Sequence, residues 1–197
     1  MTFETGEMFR EVAADLLYFC GLYADTACRI AIIVFLTAFF AGCGHGYKQG
    51  KISGRIRHAA VKALLLAALS AYGYITAGIT LLSRSEGSSD EVNLRLFGTF
   101  HNDFTSCKYI CENILLLFPC AVLLYGTFQI FRRVSAAFWT GFFVSLAIET
   151  AQLVTCLGRF EADDILTNVV GYMAGYLLCR AASCVGRLYN VRRDFHS

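Results

Sequence analysis

Two stretches of this chain, residues 30–47 and 63–82, contain no charged side chain. At ~1.5 Å of rise per residue, each reaches across the ~30 Å hydrocarbon core of a bilayer once flanking residues are included. Lipid leaves few other options, because a spanning segment must satisfy its own backbone hydrogen bonds. Three more runs fit the same description. Residues 113–131 contain Pro119, tolerable where neighbouring helices satisfy the freed carbonyl; 134–157 are interrupted only by Glu149; 165–184 carry Arg180 late enough to snorkel. With 56% hydrophobic and 16% charged residues and a mean hydropathy of +0.53, the chain has more apolar surface than a soluble core of its length needs. The predicted fold is all-α: an integral membrane bundle of about five transmembrane helices, preceded by an N-terminal amphipathic helix.

That first helix is read from residues 3–23. Phe9, Val12, Leu16, Phe19 and Tyr23 recur at three-and-four spacing, with Glu4, Glu7, Glu11 and Asp15 on the other side. It is expected to lie in the interface or to pack against the bundle. The same acidic start predicts that no cleavable leader is present. The expected division is an amphipathic helix at 1–24, a transmembrane domain at 25–186 and a cytoplasmic tail at 187–197. Residues 83–110 form the one long loop, in which Leu94, Leu96, Phe97 and Phe100 are expected to fold back over the bundle as a lid.

Basic residues cluster in the connection after the first span (Lys48, Lys51, Arg55, Arg57, Lys62), between the third and fourth (Arg132, Arg133) and after the fifth (Arg187, Arg192, Arg193). All three places fall on one side, so the positive-inside rule predicts a cell membrane protein with its N-terminus outside and its C-terminus cytoplasmic. Nothing resembles the dense basic stripe of a nucleic-acid binder. The nine cysteines lack CxxC spacing and are read as packing residues; Cys107, Cys111 and Cys156 fall at one membrane level, with no disulfide predicted. The four histidines are scattered among loops, so neither a metal nor any other cofactor is expected.

The polar residues that remain are unusual for their depth. Ser145, Glu149, Gln152 and Cys156 share one helix face near the outer end of the fourth span. A carboxylate there costs ~2.5–3.5 kcal/mol on insertion scales, so it is expected to face a partner or a cavity inside the bundle. The turn that follows supplies Arg159, Glu161, Asp163 and Asp164, and Asn168 lies one helical turn further on. Asp163 and Asp164 also suit a helix N-terminus, where carboxylates complement exposed amides. Gly171 and Gly175 form a GxxxG pair that permits close helix contact. Glu112 and Asn113 open the third span from the same side, so several segments converge on one region.

The chain here resembles the VanZ-like family over roughly residues 84–180. The resemblance rests on Asn93-Leu94, on NILLLFP at 113–119, SLAIETAQ at 145–152 and RFEADDILTNVVGYMAGY at 159–176. The matching positions are Asn113, Pro119, Glu149, Gln152, Arg159, Asp163, Asp164, Asn168, Gly171 and Gly175. Glu161-Ala162 departs from the family's usual Asp and apolar residue, and Cys120-Ala121 from its bulky residue and glycine. What the resemblance implies is an envelope protein of Gram-positive cells contributing to teicoplanin-type glycopeptide resistance.

From these residues the first expectation is a non-enzymatic protein binding an amphiphile, either a lipoglycopeptide antibiotic or a lipid-linked wall precursor. The ligand would sit in an outer cavity built from Asn113, Glu149, Gln152, Arg159, Asp163, Asp164 and Asn168. The alternatives are a membrane enzyme with Glu149 as acid or base and Asp163 and Asp164 positioning a water or cation, and a proton-coupled transporter. Against the first of these, no Ser/His or Cys/His pair lies near the region. Against the second, no inverted repeat is visible. The expected partner besides the ligand is membrane lipid, and the sequence leaves the oligomeric state open.

Overall fold

The computed structural model describes residues 5–46, 52–82, 92–98, 100–101 and 103–194. It is an all-α bundle of five long helices: α1 (Thr5–Gly46), α2 (Ile52–Ala77), α3 (Phe104–Thr127), α4 (Val134–Val154) and α5 (Ala162–Asp194). Each contains a segment long and apolar enough to cross a membrane. Side chains such as Ile33, Phe40, Phe143, Leu177 and Leu178 stay exposed along these segments, as lipid-facing residues do. The chain is a multi-pass membrane protein.

The amphipathic segment and the first span are one unbroken helix. Nothing between them stops propagation, and Arg29 pairs with Asp25 at 2.7 Å across the junction at i, i+4 spacing. At ~1.5 Å per residue α1 is roughly 63 Å long, about twice the hydrocarbon thickness. Its first turns therefore run past the end of its hairpin partner α2. There they pack on the bundle, with Met8 and Val12 buried.

The other elements begin and end where local chemistry dictates. Asp103 caps α3, its carboxylate accepting the Ser106 N–H at 3.0 Å, so the helix starts at Phe104 and absorbs what the sequence reading left as the end of the long loop. The turn of α3 that holds Pro119 is supported from α2, because the Tyr72 hydroxyl donates to the Leu116 carbonyl. A π-helical turn, Gly78–Leu82, extends α2, and Gly78 is required there by the Tyr23 ring packed over it. At the other end of the chain α5 continues unbroken to Asp194, so residues 187–194 are helix.

α4 stops at Val154 in a Schellman arrangement. The Leu157 N–H donates to the Gln152 carbonyl at 3.0 Å and the Cys156 N–H to the Leu153 carbonyl at 3.2 Å. Cys156 takes the left-handed position at φ 55°, which turns it out of the Ser145–Glu149–Gln152 face and leaves it exposed. Among the described residues no disulfide joins any of the nine cysteines.

The core lies where α3, α4 and α5 meet: Leu116, Leu117 and Ala121 against Ala137, Tyr172 and Tyr176. Two glycines set the approach of α5 to α3. A Cβ on Gly171 would land on the backbone carbonyl of Ile114, and one on Gly175 would crowd that of Phe118. Gly141 on α4 leaves room for the Tyr172 ring in the same way.

Gly171→Ala is expected to destabilise the bundle by about 2–3 kcal/mol in reversible unfolding in mixed micelles, the range of overpacking at a site that cannot relax. Gly73→Ala, on α2 with open space where the methyl would go, is expected to change little. The Asp103 cap predicts a pH effect. The Ser106 amide and hydroxyl, which both donate to it, hold its carboxyl below the usual carboxylate range. Because the folded-state value is depressed, the cap's contribution is full above ~3.9, the unperturbed value, and is lost as pH falls through the lowered one. Hydrogen exchange at Ser106 should therefore accelerate only in strongly acidic buffer, and Asp103→Ala should show the fast rate already at neutral pH.

Candidate functional site

Ends of all five helices gather at the end of the bundle opposite Arg132 and Arg133. Between the first turns of α1, the π-helical turn after α2, the start of α3, the end of α4 and the start of α5 lies a cavity of about 880 Å³. Asn113, Glu149, Gln152, Arg159, Asp164 and Asn168 line it.

The α4 residues Ser145, Glu149 and Gln152 are buried together, with Glu149 and Gln152 each only 2% exposed. The Glu161 main-chain N–H donates to Glu149 Oε2 at 3.1 Å, which folds the turn after α4 back over its own helix. Gln152 Nε2 donates to the Thr80 carbonyl at 3.1 Å. That carbonyl belongs to the last turn of the π-helical extension, where carbonyls lack partners within the helix. On α5, Asn168 is 1% exposed and its Nδ2 donates to Ser145 Oγ at 3.0 Å. Asn113, one helical turn into the membrane from Tyr109, donates to Asp164 Oδ1 at 2.7 Å and so ties α3 to α5. Two fully buried acceptors in this network, Gln152 Oε1 and Asn168 Oδ1, have no hydrogen-bond partner among the described residues. Unmet acceptors of this kind cost ~1–3 kcal/mol each, which sets them apart from an otherwise paired set.

Asp163 does something else. It is buried, it does not line the cavity, and its Oδ1 accepts the Phe97 N–H at 2.6 Å. Phe97 sits at φ 64°, a conformation that bulky side chains rarely adopt and that this charged acceptor helps to hold. Beside it, Val92–Asn93 (β1) pairs in parallel with Phe160–Glu161 (β2), Val92 opposite Phe160 and Asn93 opposite Glu161. The segment after the long loop is thus fastened by backbone pairing and by Asp163. The expectation that Leu94, Leu96, Phe97 and Phe100 dock it through their side chains is corrected: all four are exposed. Residues 83–91 of the loop lie outside the described residues.

The sequence reading missed a charged cluster in the same cavity. Lys108 Nζ lies 2.6 Å from Asp15, 3.4 Å from Glu11 and 4.0 Å from Glu112, so one ammonium is shared by three carboxylates and joins α1 to α3. The available signal was the i, i+4 spacing of Glu11 with Asp15 and of Lys108 with Glu112, each pair on one helix face. Glu161, where the residue type departs from the family pattern, also lines the cavity. Among the described residues no three His, Cys, Asp or Glu side chains are grouped so as to hold a metal ion.

A model of the VanZ/LLP1 family matches residues 60–183. The chain belongs to the VanZ/LLP1 family. No curated protein matches it, and no solved structure does. The VanZ/LLP1 match covers most of α2, all of α3 and α4, and α5 through Ser183. It takes in every polar cavity residue except Glu11 and Asp15, since α1 lies wholly outside it.

Asp163→Ala should release the segment at 92–98. Loss of a hydrogen bond to a charged group is worth ~1.5–3 kcal/mol, so hydrogen exchange at Phe97 is expected to rise by one to two orders of magnitude. Exchange in the middle of α3 should stay as it is. Equal protection at Phe97 in wild type and variant would show that the strand pairing alone holds the segment.

Proposed function

We propose that this VanZ/LLP1 protein is a non-catalytic component of the cell envelope that holds an amphiphile in the cavity, and that this binding contributes to teicoplanin-type resistance. The observation that carries the reading is one space of about 880 Å³ in which apolar walls meet the buried polar residues Glu149, Gln152 and Asn168. The volume lies in the range of ligand pockets, and the lining mixes apolar side chains with charged and amide ones, as a guest with both an apolar and a polar part requires.

Leu16, Phe19, Leu116, Ile148 and Leu157 offer surface to an acyl chain. Gln152 and Asn168 bring amide side chains to the lining. Arg159, exposed at the mouth, suits a carboxylate or phosphate that stays near water. Arg132 and Arg133, between α3 and α4, lie at the other end of the bundle, which by the positive-inside rule supports a cavity in the outer leaflet, an outside N-terminus and a cytoplasmic C-terminus. A lipoglycopeptide and a lipid-linked wall precursor both present an acyl or prenyl chain joined to a polar group rich in amides at that depth.

Thermal unfolding of the purified full chain is the test. Teicoplanin or a lipid-linked wall precursor is expected to raise the unfolding temperature in a saturable way, because a ligand that binds only the folded state stabilises it. The shift should be lost in Gln152→Leu. No shift with either ligand, in a preparation shown to be folded and monodisperse, contradicts the reading.

A further inference from the structure

At the end of the bundle opposite the cavity, the α3–α4 connection and the part of α5 beside it carry charge of one sign. Residues 113–148 and 165–193 contain no Asp or Glu. Three arginines stand there, Arg132 and Arg133 in the connection and Arg180 on α5. All three are exposed, and among the described residues none of them is in an ion pair. Two are held by the same pair of rings. Arg132 Nε donates to the Tyr125 carbonyl at 3.3 Å, and its guanidinium lies 5.5 Å from the centre of the Tyr125 ring. The Tyr176 hydroxyl donates to the Arg132 carbonyl at 3.1 Å, and Arg180 Nη1 approaches the same hydroxyl at 3.5 Å. Tyr125 and Tyr176 meet edge to face, their ring centres 5.9 Å apart.

A charge that only sets topology needs no fixed geometry, because the positive-inside bias counts basic residues wherever they stand in a short loop. Arg132 and Arg180 come from two elements and are tied through one hydroxyl, which touches the backbone of the first and the side chain of the second. Each guanidinium has five N–H donors, and these contacts use one of them on each. We propose that Arg132 and Arg180 together bind the phosphate of an anionic phospholipid in the leaflet at this end of the bundle. The forked donors of arginine match phosphate oxygens, and the lipid supplies the negative charge that the protein here lacks. Phe128, Ile130, Leu177 and Leu178 are exposed close by in sequence and offer the acyl chains a surface beside the headgroup. The site is independent of the cavity and of its guest.

Native mass spectrometry of the full chain in detergent, titrated with dioleoylphosphatidylglycerol or dioleoylphosphatidylcholine, is the test. The phosphatidylglycerol is expected to bind saturably and about tenfold more tightly than the phosphatidylcholine. Arg132→Gln and Arg180→Gln should each weaken it about tenfold, the usual effect of losing a hydrogen bond to a charged group. Arg133→Gln removes the same charge from the next position and should weaken it at most about twofold, as an exposed charge without fixed geometry does. Should Arg132→Gln disturb the end of α3, Arg180→Gln carries the test, since the contact its side chain makes lies within α5. Arg133→Gln weakening the lipid as much as the other two overturns the site and leaves net charge alone. Equal binding of the two lipids overturns the preference for an anionic headgroup. Displacement of the lipid by an equal concentration of inorganic phosphate assigns the arginines to a soluble anion and overturns the lipid.

Discussion

The close approach of α5 to α3 holds the rest in place. Gly171 and Gly175 let the α5 backbone lie against the carbonyls of Ile114 and Phe118, and in lipid, where no hydrophobic force draws helices together, such packing is what binds them. Next to Ile114, Asn113 reaches Asp164, about two helical turns before Gly171 on α5, and the start of α5 is fixed against α3. From there the turn at 159–161 has one course back to α4, over Glu149. The cavity is the space left where this tight pair diverges from α4 and from the overhanging end of α1.

The polar residues at that end divide into those that hold helices and those with capacity to spare. Asp163, Asn113 and Lys108 each make a contact that closes a gap between elements. Gln152 and Asn168 each donate to a neighbouring element and keep an oxygen unmet. A purely structural clasp would be expected to consume both ends of each amide, since buried polar atoms in native proteins are nearly always paired.

Much of this was legible in the sequence, for physical reasons that also mark its limits. The five spans follow from uncharged run length, and the convergence of 113, 149, 152 and 168 follows from helical periodicity and alternating direction. The GxxxG contact was legible because small residues four apart admit little else in a bilayer. The continuity of α1 was not: an amphipathic segment joined to an apolar run is compatible with either a bend or a straight helix, and the packing of Met8 and Val12 on the bundle favours the straight one. The different fates of Asp163 and Asp164 were hidden too. Consecutive residues on a helix point about 100° apart, and which one meets the loop depends on how α5 is rotated against α3. The Lys108 cluster needed α1 to overhang before its four charges could meet.

The central claim is that the polar residues enclose water-accessible space and are not sealed against one another. Hydroxyl-radical footprinting of the full chain in nanodiscs tests it without any substitution. Phe19, Tyr109 and Leu157, which border the cavity, are expected to be oxidised and to be protected on adding the amphiphile, while the exposed mid-span residues Phe143 and Leu177 stay dark beneath lipid. Cavity residues as unreactive as the lipid-facing ones would contradict the account.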